Sequence, residues 1–178
     1  MTRPEVWLRG ALPGIAPVLQ PAAHSLAQVR EEMERLLPPL SADDAWRARP
    51  GAASVAFHAR HLAASTDRLF TYARGQSLSA EQRARLEQEA IRPAPAPDGA
   101  ALWREVAAAL DDALAQLSTW SAQPLEALLA PRAVGRSALP STVLGLLFHA
   151  AEHAQRHAGQ VATTLRLTAT AEGSAGPA

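Results

Sequence analysis

The chain contains no cysteine and no lysine, few aromatic residues (4%) and no excess of either charge, seventeen basic residues standing against seventeen acidic ones. Without cysteine there is no disulfide, no thiolate nucleophile and no thiolate metal ligand, so any metal must be held by His, Asp or Glu. Balanced charge, with neither sign gathered into a block, removes the footprint expected of a nucleic-acid binder. No apolar run approaches the length of a membrane span, and "MTRPEVWLRGALPG" at the N-terminus lacks a signal-peptide pattern, so a cytoplasmic protein is expected. Strand signals are nearly absent, and there is no nucleophilic triad, glycine-rich phosphate loop or convincing carboxylate pair.

Helical periodicity is what remains. Proline and glycine cut the chain into segments that repeat their apolar residues at about 3.6. The first, from Pro21 to Leu37, aligns Leu26, Val29, Met33, Leu36 and Leu37. The second, from Ser54 to Tyr72, aligns Val55, His58, Leu62, Leu69 and Tyr72 and stops at Gly75, a typical helix-ending residue. Ser79 and Gln82 have capping-box spacing, which predicts a short helix over Ala80 to Ala90. The run "RPAPAPDG" suits only a linker. A third long segment, from Ala101 to Trp120, aligns Trp103, Val106, Leu110, Leu114 and Leu117. The fourth begins at Pro140 or Ser141 and runs to Leu167, leaving 168–178 as an expected disordered tail. Four amphipathic helices that cannot bury their stripes alone predict an all-α protein, one four-helix-bundle domain over 1–167. The long connections between the first and second helices and between the second and third permit crossovers.

Five of the six histidines fall on two of these helices: His58 and His61 on the second, His149, His153 and His157 on the fourth. Imidazoles at i and i+4 project one turn apart from one face, the spacing by which a helix offers two ligands to one ion. One such pair alone is more often polar surface than a metal site; a second cluster on another bundle helix favours a metal. Helical angles select among them. Measured from Leu147 at about 100° per residue, His157 falls near −80°, His153 near −120° and His149 near −160°. Measured from Leu62, His61 lies near −100° and His58 near −40°, inside the apolar stripe. Flank positions on both helices suit a cleft open to solvent, so His61, His153 and His157 are the expected ligands. His149 points away, and His58 is either a buried, hydrogen-bonded histidine or a group supporting a ligand.

"HARHLAASTDRLFTYARG" followed by "VGRSALPSTVLGLLFHAAEHAQRHAGQV" resembles the DinB/YfiT-like superfamily of metalloenzymes. The opening "WLRGALPGIAPVLQPAAHSL" is also similar to bacterial members, so the resemblance spans about residues 5–167. It implies a four-helix bundle with an unusual crossover, commonly a homodimer. It also implies a divalent metal on three histidines, which match His61, His153 and His157. Zinc is the expected ion; nickel, iron or manganese accept the same ligands. Three imidazoles leave a coordination position open, as in reactive rather than structural sites. Relatives imply chemistry on a low-molecular-weight thiol such as bacillithiol or mycothiol, or on water, toward a small-molecule substrate. The competing expectation is a non-catalytic metal-binding module of a stress response. Arg68, seven residues after His61, either steers an anionic substrate or lies solvated on the surface. Arg136 either reaches the cleft mouth or serves its loop. Glu152, Arg156 and Gln160 turn away from the core, and Trp7, Trp46, Trp103 and Trp120 are expected to fill the bundle and its loops.

Overall fold

The structure is a computed structural model that describes residues 3–48 and 51–173, the last five of them through their backbone. Four long helices make the frame: α1 (Gln20–Leu36), α3 (Val55–Ala73), α5 (Gly99–Ser121) and α7 (Val143–Gly173). Between them lie α2 (Ala42–Trp46), α4 (Ala80–Gln88), α6 (Leu125–Leu128) and a two-stranded hairpin of β1 (Pro131–Val134) and β2 (Leu139–Thr142). Single 3-10 turns at Val6–Arg9 and Pro17–Leu19 precede α1. Both α1 and α3 pack against α5 and α7, so α1 stands diagonally across the bundle from α3, and α5 from α7. The chain therefore crosses the bundle between the first and second long helices and again between the third and fourth. The expected all-α bundle forms, with a crossover in the first of the long connections; its second crossover falls between the third and fourth long helices and not between the second and third.

Local chemistry sets the helix ends. The Ser54 hydroxyl accepts from the Phe57 N–H and starts α3 at 3.1 Å. At the other end Gly75, at φ +75°, lets its own N–H reach the Tyr72 carbonyl and the Gln76 N–H reach that of Thr71. That pair of bonds is a Schellman close, which needs the left-handed conformation glycine adopts without strain. The capping box of Ser79 and Gln82 forms as expected at the start of α4. Asp98 caps α5 through the Ala101 N–H, so the helix starts two residues before the expected Ala101, taking Gly99 out of the linker.

The core is one cluster in which the stripes meet: Leu26, Val29 and Met33 of α1, Leu62 and Phe70 of α3, Val106 and Leu110 of α5, Leu147, Ala154 and Val161 of α7. Four expectations need correction. Residues 131–142 form a hairpin, with Pro131 paired to Thr142 and Val134 to Leu139. Each strand is only four residues long and an edge, where proline is tolerated and no apolar alternation is needed. In consequence α7 starts at Val143 rather than Pro140 or Ser141, with the Thr142 hydroxyl accepting from the Gly145 N–H. At its far end α7 continues through 168–173, because "TATAE" holds no glycine or proline to stop it; 174–178 of the expected tail lie outside the described residues. Trp7 is 61% exposed rather than filling the bundle, whereas Trp46 is buried.

Candidate metal centre

The neighbouring pair α3 and α7 brings the histidines together. His61 comes from the middle of α3, and His153 and His157 from successive turns of α7; one nitrogen of each lies within 4.8 Å of the others. The His61 Nε2 and His153 Nε2 atoms are 3.0 Å apart. Two imidazole nitrogens on one tetrahedral zinc stand roughly 3.3 Å apart, given zinc–nitrogen bonds of about 2.0–2.1 Å. The donor set and its spacing thus fit a divalent ion, and these three side chains could hold one.

Exposure follows the helical angles. His157, nearest the core stripe, is 8% exposed, while the His61 side chain is 21% exposed and the His149 side chain 51%. His149 faces outward beside Glu152, with 3.3 Å between its Nδ1 and the carboxylate. His58 is buried, and its Nδ1 lies 3.1 Å from the Nδ1 of His157. Of the two readings offered for His58, burial and hydrogen bonding to a candidate ligand both hold. Its contact uses the Nδ1 of His157 and leaves the Nε2 of that ring for the cluster. The His153 Nδ1 is buried with no hydrogen-bond partner among the described residues, so packing orients this ring.

One residue of the site carries no signal in the sequence. Glu89, just past the end of α4, is buried, and its Oε2 lies 2.6 Å from the Nδ1 of His61. Its other oxygen accepts from the Arg68 guanidinium, which is also buried. Arg68 is thus neither solvated nor open to a substrate anion; it is paired. Arg136 is exposed in the hairpin turn, and Arg156 bonds Glu152 along the outer face of α7.

Burial sets the proton affinities. Desolvation, then the neighbouring His61 and His153, push the His157 imidazole down to about 3. Desolvation also lowers His153 and His58, with His61 adding to both. Burial alone would raise the Glu89 carboxyl, but its hydrogen bonds to His61 and Arg68 outweigh that and hold it below the usual range. A stability consequence follows. The unfolded chain protonates these histidines near pH 6.5, whereas the fold keeps them neutral, so the unfolded state takes up more protons below that pH. Metal-free protein should therefore lose stability as pH falls from about 6.5 toward 3, with His157 alone costing about 2 kcal/mol at pH 5. Urea titrations with a chelator at pH 7 and pH 5 measure this; equal stability at both would contradict the buried, neutral cluster.

The sequence matches the model of the DinB superfamily over residues 25–161, and the chain belongs to that family. Among solved structures it is similar to a conserved protein from Enterococcus faecalis, at 20% identity and a TM-score of 0.60, with 84% of this chain and 96% of that one covered. At that identity the likeness concerns the fold. No curated protein matches the sequence. No helix among the described residues is long and apolar enough to cross a membrane.

Proposed function

We propose that the protein is a divalent-metal-dependent enzyme in which His61, His153 and His157 are the ligands and a low-molecular-weight thiol, or else water, is the activated nucleophile. The observation that carries this is the convergence of three imidazoles from two helices, with no fourth protein ligand grouped with them among the described residues. A bound zinc ion would lower the pKa of a thiol or water in its remaining position.

The chain's own residues prepare the site. Burial keeps His157 unprotonated throughout the neutral range, so its lone pair needs no proton displaced. The Phe57 ring stacks on His61 at 5.6 Å between centroids and 19° between planes, covering one face of that imidazole. His58 occupies the Nδ1 of His157, restraining its rotation. A cleft of about 440 Å3 with room for a small molecule lies beyond His58, lined also by Arg156, Gln160 and Thr163 but by none of the three candidate ligands.

The test is a screen of zinc-, nickel-, iron- and manganese-loaded protein with bacillithiol, mycothiol and simple thiols against alkyl and epoxide electrophiles, with ester hydrolysis followed in parallel. Turnover that depends on added metal and is lost in His153→Ala is the expected result. Protein that holds one ion per chain yet consumes no thiol and hydrolyses no ester would instead be a metal-binding module.

A further inference from the structure

We propose that Glu89 is the positioning residue of this centre: it holds His61 as the Nδ1–H tautomer and so presents the Nε2 lone pair to the ion. The inference rests on the metal reading given above, and three independent features of the structure lead to it.

The first is where the carboxylate spends its two oxygens. Glu89 is 4% exposed and is the one buried carboxylate among the described residues. Burying such a charge is unfavourable unless both oxygens are met by donors. Arg68 meets one. If Glu89 served only to pin α4 against α3, that ion pair would suffice and the second oxygen could turn to solvent. It instead lies 2.6 Å from the His61 Nδ1. A carboxylate at that distance is an acceptor, so the imidazole nitrogen facing it carries the proton. In the neutral imidazole the proton on Nδ1 leaves the Nε2 with a free lone pair, and this is the atom 3.0 Å from His153 Nε2.

The second feature is how Glu89 is held. Arg60, one residue before His61, donates to the carbonyls of Gln88, Glu89 and Ile91 at 2.9, 3.2 and 3.1 Å. Trp46 lies against its guanidinium at 5.6 Å. The Gln88 carbonyl also accepts from the Ile91 N–H, and the other two carbonyls lie past the end of α4, where the helical ladder no longer supplies a donor. Since α4 buries none of its own residues, Arg60 and the Arg68 pair fix its end, and with it Glu89, onto α3. The third feature is the contrast with His153, whose Nδ1 has no partner. At the His157 Nδ1 the partner is another imidazole, that of His58, so a carboxylate acceptor is not a general property of the cluster; it faces His61 alone among the three.

The test uses apo protein and zinc alone. In wild-type apo protein, 15N shifts of the His61 ring should report the Nδ1–H tautomer, and Glu89→Ala should shift them toward a mixture or toward Nε2–H. Zinc affinity, read by competition with a chromophoric chelator, should fall about 10- to 100-fold in Glu89→Ala. Glu89→Gln keeps the shape but has one oxygen for two donors; with Arg68 holding it, the amide nitrogen faces His61, so this variant should shift the tautomer and weaken zinc binding in the same direction as Glu89→Ala. A folded Glu89→Ala protein with unchanged His61 shifts and zinc affinity within about threefold of wild type would overturn the proposal. If Glu89→Ala does not fold, the wild-type spectrum decides: Nε2–H at His61 there would overturn the proposal equally. A wild-type chain that binds no zinc sinks the metal reading instead, and the tautomer measurement still decides the role of Glu89.

Discussion

Replacing His61, His153 or His157 with alanine is expected to reduce metal affinity by more than about 100-fold, beyond what loss of a supporting group costs. Each change removes one of three nitrogens that converge within 4.8 Å, and among the described residues no carboxylate is grouped with them to take the vacated place. His149→Ala should leave bound metal nearly unchanged, because its side chain is half exposed on the outer face and contacts Glu152. The physical reason is the drift of about 40° between successive i+4 positions, which prevents three consecutive histidines on one helix from facing one ion equally. Metal content per chain after dialysis, measured on the four variants, tests the set. Loss in His149→Ala with retention in His157→Ala would reverse the register on which the site is built.

Gly99→Ala should destabilise the fold by about 3 kcal/mol or more, through overpacking and loss of a buried backbone bond. A Cβ built on Gly99 would lie 1.9 Å from the carbonyl oxygen of Leu37 and 2.9 Å from the Leu40 side chain. The first contact is backbone, so no side-chain rotation relieves it. Either the turn after α1 or the start of α5 must withdraw, and the Gly99 N–H bond to the Leu40 carbonyl, now 2.9 Å, is lost with the withdrawal. Gly159 is the control: it sits exposed within α7, and the position a methyl would take there has nothing within 4 Å, so Gly159→Ala should be neutral or stabilising by up to about 1 kcal/mol. Urea unfolding of both variants compares them directly. A Gly99→Ala protein as stable as Gly159→Ala would mean that the turn after α1 is not packed against the start of α5 as described.

The long helices are legible because each carries its apolar stripe at helical period and ends at a residue with a mechanical reason to end it, Gly75 above all. The same angular arithmetic separates His153 and His157 from His149, and flank from core for His61 and His58, since a helix converts sequence spacing into direction. The pieces that escape depend on contacts between distant segments. The hairpin has strands too short and too exposed to show alternation. Glu89 lies in a charged stretch next to a helix that buries nothing, so no pattern distinguishes it from Glu81 or Glu87. Only the docking of α4 on α3 through Arg60 and Arg68 makes it a partner of His61. Arg68 escapes for the same reason: its flank position is readable, but the carboxylate that draws it inward lies 21 residues further along.

X-ray absorption at the zinc edge of protein loaded with one equivalent of zinc tests the three-histidine centre most directly. Three imidazole nitrogens at about 2.0–2.1 Å, with one or two further oxygen ligands from solvent, are the expected result. A spectrum with fewer than three imidazoles, or one unchanged in His153→Ala, would contradict it.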